Sequence, residues 1–276
     1  MRVRSRILAL GGHDFDRRSG NDAICDLIVD LAELPRPRIC LLPTASGDAE
    51  DQIARFRRAF GERDCITQAV SLFRLGDRPL DLREELLSHD VIYVGGGSLL
   101  NLIAIWRAHG IDEILRECWE QGVLIVGQSA GAMCWFEGGV TSSQGEPGVS
   151  PGLGLLPGSA CVHYLAEPVR RRRFLRAVGS GELEPGLGLE DQTGALFDGS
   201  ELVETIAARD GAEVWEVSAG EGDTVTETEL ECRRLEDSRP SINEISADVL
   251  ELRQTLAIRM PRRLAGRRRP GRLFDL

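Results

Sequence analysis

The apolar positions of this chain alternate between short continuous runs and helical spacings. The runs are typical of strands covered on both faces, and they lie at residues 7–10, 38–42, 65–72, 91–94 and 123–126. Between them, apolar residues recur with the period of a helix, over residues 24–31, 51–60, 99–106 and 111–119. This alternation predicts an α/β fold, a three-layer sandwich with a mostly parallel central sheet flanked by helices.

The loops that follow the predicted strands are rich in glycine and small polar residues. They lie at residues 11–12, 43–48, 95–97 and 127–131. The carboxyl ends of parallel strands share one edge of a sheet, and α/β proteins place their sites there. We therefore expect one site, built from these loops.

The pattern changes after residue 197. Segments 202–208 and 213–217 are short and β-like, and turn signals precede each one. They predict short antiparallel strands near the C-terminus that close the edge of the sheet. A helical stripe over residues 245–256 predicts a helix packed on the body. We therefore assign residues 1–258 to one domain and 259–276 to a basic, flexible tail.

One glycine-rich loop carries the pattern of a nucleophile. Gly127-Gln128-Ser129-Ala130-Gly131 follows the apolar residues 122–126 and leads into a segment, 130–136, that is predicted to be helical. A serine in G-x-S-x-G between a strand and a helix lies on a tight turn that exposes its hydroxyl. The same kind of turn also suits phosphate binding or close helix packing. The strand before it and the helix after it favour Ser129 as a nucleophile.

A nucleophilic serine needs a proton acceptor, and the chain has only four histidines. Only His163 follows Ser129. An order of serine, acid and histidine fits poorly, because only two glutamates lie between Ser129 and His163. An order of serine, histidine and acid fits better, with Glu190 and Asp191 at the end of a short apolar segment. A lone histidine is often structural, but the need for a base favours His163 here.

Several motifs, in order, resemble the peptidase E family of serine peptidases, which is related to dipeptidase E and cyanophycinase. They lie at residues 9–12, 41–48, 94–98, 127–137, 152–159 and 163–171. The resemblance spans roughly residues 6–220 and implies a class I glutamine amidotransferase-like fold. It also implies hydrolysis of aspartyl dipeptides or of β-aspartyl-arginine links.

Carried over by position, the resemblance implies Ser129 as nucleophile and His163 as general base and acid. The acid of the triad falls on Asp191, with Glu190 as the alternative. The oxyanion hole falls on the backbone N–H of Ala130 and on an N–H of the glycine loop, at Gly96 or Gly97. Glycines suit this role, because a backbone without side chains can approach a substrate carbonyl closely.

Two positions depart from the family's pattern. Family members often have Asn where this chain has Ser98, which bears on substrate positioning. They commonly have Asp where this chain has Leu165, which bears on the hydrogen bonds around His163. Neither departure removes the nucleophile or the base.

Four consecutive arginines, residues 170–173, follow the predicted base. A run of charge is usually a solvated helix face, but a guanidinium group is also well shaped to bind a carboxylate. Because the resemblance implies acidic substrates, Arg170 and Arg171 join Ser98 as candidates for substrate binding.

Charge and composition limit the classes of partner that we expect for this chain. The formal net charge is −11, yet the last eighteen residues, 259–276, hold seven arginines and one aspartate. Phe274 is the only aromatic residue in that tail, which argues against a nucleic-acid partner. The seven scattered cysteines form no C-x-x-C, so we expect reduced thiols in a cytoplasmic protein without a metal. No run is long and apolar enough to cross a membrane, and the first residues lead into a core strand.

These patterns predict a cytoplasmic serine peptidase that cleaves small peptides through an acyl-enzyme and needs no cofactor. One alternative is a catalytically silent relative that binds a small acidic ligand or a protein partner. Another is an esterase that uses the same residues, since acyl transfer proceeds with either a nitrogen or an oxygen leaving group. The sequence leaves a homodimer open.

Overall fold

Strands and helices alternate in the first half of the chain, and strands dominate the second half. The computed structural model describes residues 4–13, 15, 21–77, 79–220 and 224–236. Its helices are α1 (Asn21–Leu31), α2 (Glu50–Gly61), α3 (Leu82–Leu87), α4 (Leu99–His109), α5 (Ile111–Glu120), α6 (Ala130–Met133) and α7 (Pro168–Gly179). Its strands are β1 (Arg6–Leu10), β2 (Arg38–Leu42), β3 (Ile66–Ala69), β4 (Val91–Val94), β5 (Leu124–Gln128), β6 (Phe136–Thr141), β7 (Gly148–Pro151), β8 (Leu156–Val162), β9 (Gly186–Leu189), β10 (Thr193–Asp198), β11 (Glu201–Ala207), β12 (Val214–Ala219), β13 (Val225–Leu230) and β14 (Arg233–Arg234).

The first sheet has eight strands in the order β14-β11-β10-β1-β5-β4-β2-β3. From β1 to β3 all neighbours run parallel. At the other side, β10 pairs antiparallel with both β1 and β11. The predicted mostly parallel central sheet is therefore confirmed.

Both faces of this sheet are buried, which explains its continuous apolar runs. In β1, Leu8 and Leu10 pack into a core with residues of α1 and α2, such as Ile24. Ile7 and Ala9, which alternate with them, pack into a second core with residues of α4 and α5. The layers of helix, sheet and helix follow directly from this alternation.

A second sheet of six strands, in the order β13-β12-β9-β8-β6-β7, was not predicted. The segment 213–217 was expected at the edge of the first sheet, but it forms β12 and pairs with β9 and β13. In this second sheet, both faces of β12 pack against apolar residues. Val214 is fully buried in the core shared with the first sheet, and Val217 is fully buried against α7.

The helix predicted over residues 130–136 is also shorter than expected. It ends at Met133, and Phe136 begins β6 instead. Phe136 is buried and packs edge-on against Phe197, with ring centroids 5.8 Å apart. Glycines 138 and 139 follow it, and glycine is a poor helix former. Tertiary packing therefore decides in favour of a strand.

Two predictions fall beyond the part of the chain that the structure describes. The described residues belong to one compact unit, Met1–Asp237. The helix expected over residues 245–256, the domain boundary at 258 and the basic tail lie outside the described residues.

A charged cluster joins α7 to β13 and gives a test of the second sheet. Glu227 accepts a hydrogen bond from Tyr164 Oη at 2.5 Å and binds Arg171 through two bonds of 3.0 and 2.8 Å. Glu227→Gln should lower the free energy of unfolding by about 1–3 kcal/mol, because Arg171 loses its charged partner. Urea denaturation measures this loss. The exposed Glu229 of the same strand is the control, and equal losses for Glu227→Gln and Glu229→Gln would contradict the prediction.

Candidate active site

Ser129 lies on a tight turn between β5 and α6. Its backbone has φ 51° and ψ −116°, which is costly for a residue with a side chain. The flanking glycines allow this turn. A Cβ atom on Gly131 would lie 2.4 Å from the carbonyl oxygen of Val94, and one on Gly127 would lie 2.0 Å from that of Gly131. The sequence G-x-S-x-G is thus a steric requirement of this turn.

Three side chains from three strand ends form one chain of hydrogen bonds. Ser129 Oγ lies 2.9 Å from His163 Nε2, and His163 Nδ1 lies 2.5 Å from Asp191 Oδ1. Ser129 follows β5, His163 follows β8, and Asp191 comes two residues after β9. His163 also has a positive φ of 54°. A hydroxyl, an imidazole and a carboxylate linked in this order can act chemically as nucleophile, base and orienting group.

The structure separates the two candidate acids. The hydrogen bond from His163 holds the pKa of Asp191 below its usual range, although partial burial acts against it. Glu190 points elsewhere: it is only 5% exposed, and Trp215 Nε1 donates to its Oε1 at 3.5 Å. Burial raises the pKa of Glu190. Asp191, and not Glu190, is thus the carboxylate that meets His163.

The loop after β1 packs against this pair. A Cβ atom on Gly12 would lie 2.1 Å from Asp191 Oδ1 and 3.0 Å from His163 Cε1. The next residue, His13, is also buried beside the site, but its Nδ1 pairs with Tyr93 Oη at 2.8 Å. His163, and not His13, is therefore the histidine within hydrogen-bond distance of Ser129.

The glycine loop after β4 approaches Ser129 from the other side. A Cβ atom on Gly96 would lie 3.2 Å from Ser129 Cβ, and one on Gly97 would lie 2.1 Å from the carbonyl oxygen of Ala45. Among the described residues, the amide N–H groups of Gly96, Gly97 and Ala130 have no protein acceptor. Backbone donors beside a serine hydroxyl are what an oxyanion hole requires.

These groups open into a cavity of about 590 Å³ that holds Ser129, His163 and Asp191. This volume lies within the range of small-molecule sites. A larger cavity of about 710 Å³ lies between α2 and the segment after β3, and its lining contains neither Ser129 nor His163. The smaller cavity is the candidate active site, because the hydrogen-bonded side chains lie in it.

The described lining of this cavity does not include the residues predicted to bind substrate, and each of them contacts other groups. Ser98 caps α4, and its Oγ accepts from the backbone N–H of Asn101 at 3.3 Å. Arg170 binds Glu167 at 3.0 Å, and Arg171 is held by Glu227. Near the start of α7, Arg170 thus meets the neighbouring Glu167, whereas Arg171 meets Glu227 of the distant strand β13.

Two other arginines, Arg55 and Arg209, line the cavity instead, together with Gln192. The sequence offered no signal for Arg209, which follows a predicted strand as an ordinary turn residue. A signal for Gln192 existed, since it directly follows Asp191.

The described residues hold no disulfide, no candidate metal site and no helix that could span a membrane. In the described ranges the seven cysteines form no disulfide, and six of them are buried. Within the described ranges, no group of three or more His, Cys, Asp or Glu side chains is arranged to hold a metal ion. No helix in that part of the chain has the length and apolar character needed to cross a membrane.

Comparison with known proteins agrees with this geometry. A model of peptidase family S51 matches residues 7–205. The chain belongs to peptidase family S51. The match takes in Ser129, His163 and Asp191. Membership identifies the chain as a serine-type peptidase at the level of the family.

Individual relatives carry the same indication. The chain is 40% identical over 216 residues to the uncharacterized peptidase YgaJ of Bacillus subtilis (strain 168). This alignment covers 78% of this chain and 93% of YgaJ. It is 27% identical over 204 residues to a cyanophycinase of Synechococcus elongatus, over 70% of this chain and 62% of the relative.

Two solved structures share the fold of this chain. A peptidase from an acI-B1 actinobacterium aligns with a TM-score of 0.63 and 16% identity, over 84% of this chain and 96% of its own. A candidate peptidase E protein from Listeria monocytogenes EGD-e aligns with a TM-score of 0.56 and 16% identity, over 74% and 98%. The predicted resemblance to the peptidase E family is confirmed.

Proposed function

We propose that this S51 peptidase cleaves small peptides through an acyl-enzyme on Ser129. The observation that carries the proposal is the chain of hydrogen bonds from Ser129 through His163 to Asp191, with Ser129 on a strained strand-to-helix turn. A strained backbone at a functional side chain persists only where the surrounding structure enforces it.

In the first half-reaction, Ser129 Oγ attacks the scissile carbonyl carbon while His163 Nε2 accepts the hydroxyl proton. The carbonyl oxygen becomes an oxyanion, and the free N–H groups of Ala130 and of Gly96 or Gly97 bind it. His163 then donates its proton to the leaving amine as the C–N bond breaks, which leaves the acyl group on Ser129.

In the second half-reaction, His163 Nε2 takes a proton from a water molecule that attacks the acyl carbon. The bond to Ser129 Oγ breaks, and the proton returns to that oxygen. Throughout, Asp191 keeps the imidazole oriented and stabilises the imidazolium through Nδ1. Its lowered pKa keeps the carboxylate charged at neutral pH.

For the substrate, we propose an aspartyl dipeptide or a related acidic or isoaspartyl peptide. The cavity of about 590 Å³ suits a short peptide, and the guanidinium group of Arg209 in its lining supplies a cation for an acidic group. The similarity to cyanophycinases and to a peptidase E protein supports the same class. We also propose a cytoplasmic location, since the seven cysteines form no disulfide among the described residues.

Reaction with a fluorophosphonate, followed by intact-protein mass spectrometry, tests the nucleophile directly. We expect one adduct on the wild type and none on Ser129→Ala. Ser98→Ala is the matched control and should keep the adduct, because that hydroxyl caps α4. A well-folded wild type that forms no adduct would contradict the proposal and favour the silent, ligand-binding relative. An esterase would also form the adduct, so peptide and ester substrates are then compared.

A further inference from the structure

Arg209 and Gln192 line the cavity of Ser129, and the proposed reaction uses neither. Their backbones are held in register with the site. Gln192 follows Asp191, its N–H donates to the carbonyl of Gly12 at 3.0 Å, and its own carbonyl accepts from Ala208 N–H at 2.8 Å. Because Arg209 is the next residue after Ala208, this ladder places Arg209 beside the end of the Ser–His–Asp chain.

In the described part of the chain, the guanidinium group of Arg209 makes one long ion pair, 4.0 Å from its Nη2 to Glu190 Oε2, and no side-chain hydrogen bond. The backbone of Arg209 is fixed, since its carbonyl accepts from Ala212 N–H at 3.2 Å and from the Arg234 side chain. The other arginine of the cavity differs, because Arg55 binds Asp51 at 2.7 Å.

Gln192 adds an unpaired acceptor to the wall of the cavity that it forms with Arg209. It is only 7% exposed, and its Oε1 has no hydrogen-bond partner among the described residues. A buried polar atom without a partner costs free energy. Gln192 also has a positive φ of 68°, a conformation that proteins retain at functional positions.

The charged groups in this wall also favour an acidic ligand. Among the described residues of the lining, Asp191 is the one carboxylate, and it is already engaged with His163. Among the described residues, the wall therefore combines a cation held only by a 4.0 Å ion pair with Glu190 and a buried amide oxygen that has no partner. A guanidinium group pairs well with a carboxylate, and the amide oxygen suits an N–H group.

We propose that Arg209 binds a carboxylate of the substrate while Gln192 accepts an N–H or ammonium group of the same peptide. The ligand class is a short peptide that carries both groups near the scissile bond. The inference rests on the proposed function and assigns its specificity to this wall rather than to Arg170 and Arg171.

Equilibrium binding to the Ser129→Ala protein tests the subsite without turnover. The matched ligands are aspartyl-leucine and asparaginyl-leucine, which differ by one carboxylate against an amide, and calorimetry gives their dissociation constants. We expect the aspartyl peptide to bind at least about 10-fold more tightly, as a charged hydrogen bond predicts.

Added substitutions assign the preference to residues. Arg209→Gln should abolish the preference for the aspartyl peptide, and Arg55→Gln should retain it, since Arg55 is engaged by Asp51. Gln192→Leu should weaken both peptides by a similar factor, because both carry the ammonium group. A preference that survives Arg209→Gln would overturn the proposal, and so would equal or undetectable binding of the two peptides before that change.

The two proposals fail separately in this design. Fluorophosphonate labelling of the wild type reports the reactivity of Ser129 and does not depend on Arg209. An adduct without carboxylate preference therefore rejects the subsite alone. Carboxylate preference without an adduct rejects the serine mechanism and leaves a binding site for acidic peptides.

Discussion

Ser129→Ala is expected to lower kcat for peptide hydrolysis by at least about 10⁴-fold, because it removes the atom that forms the acyl-enzyme. Alanine keeps Cβ and loses only Oγ, so the strained turn at φ 51° is unchanged in steric demand. His163 loses its hydrogen-bond partner at 2.9 Å but keeps Asp191. The residual rate would come from binding and from the oxyanion donors alone.

The measurement is kcat and KM with an aspartyl dipeptide, after the thermal midpoint shows that the variant folds. We expect KM to change little, because Ser129 contributes mainly to the transition state. His163→Ala should lose a comparable factor, and the double variant should be no worse than either single one, since the residues act as a unit. Peptide hydrolysis at the wild-type rate in folded Ser129→Ala would refute the assignment.

Much of the backbone that supports this site follows from local sequence patterns, and it could therefore be predicted. The strands of the parallel sheet are continuous apolar runs because helices cover both faces. The turn at Ser129 needs glycine on both sides for steric reasons, so its pattern survives in the sequence. The order of Ser129, His163 and Asp191 likewise restricted the base and the acid.

The rest depended on contacts between distant residues. The β-like pattern of residues 213–217 predicts a strand but does not say which sheet it joins, and pairing with β9 decides that. Arg171 belongs to a run of arginines that suggested a carboxylate ligand, and its ligand is Glu227, far along the chain. Arg209 reaches the cavity only because the backbone of Ala208 pairs with Gln192.

The second large effect is expected on kcat, and it distinguishes Asp191 from Glu190 as the proposed third member of the triad. Asp191→Asn is expected to lower kcat by about 10³–10⁴-fold, in line with the same change in other triads. Asparagine has nearly the same shape, but its amide N–H cannot accept the proton of His163 Nδ1. The imidazole then places its proton on Nε2, which faces Ser129 Oγ and can no longer take the hydroxyl proton.

Glu190→Gln is the matched control, one residue away on the same loop, and it should change kcat by less than about 3-fold, as expected for a residue outside the triad. Glu190 is buried against Trp215 and its pKa is raised, so its charge is not what His163 uses. Large loss in Glu190→Gln with near wild-type activity in Asp191→Asn would reverse the assignment.

The pH dependence of stability tests the lowered pKa of Asp191. In the folded state this pKa is lowered, so the carboxylate stabilises the fold above its unfolded pKa, and this contribution disappears as the pH falls through the folded pKa. The wild type should therefore lose its stability advantage over Asp191→Asn in acid, because the asparagine has no proton to gain there. Urea denaturation of both proteins between about pH 3 and pH 6 measures the difference in the free energy of unfolding. A difference that does not shrink as the pH falls would contradict the role of the Asp191 charge in holding His163.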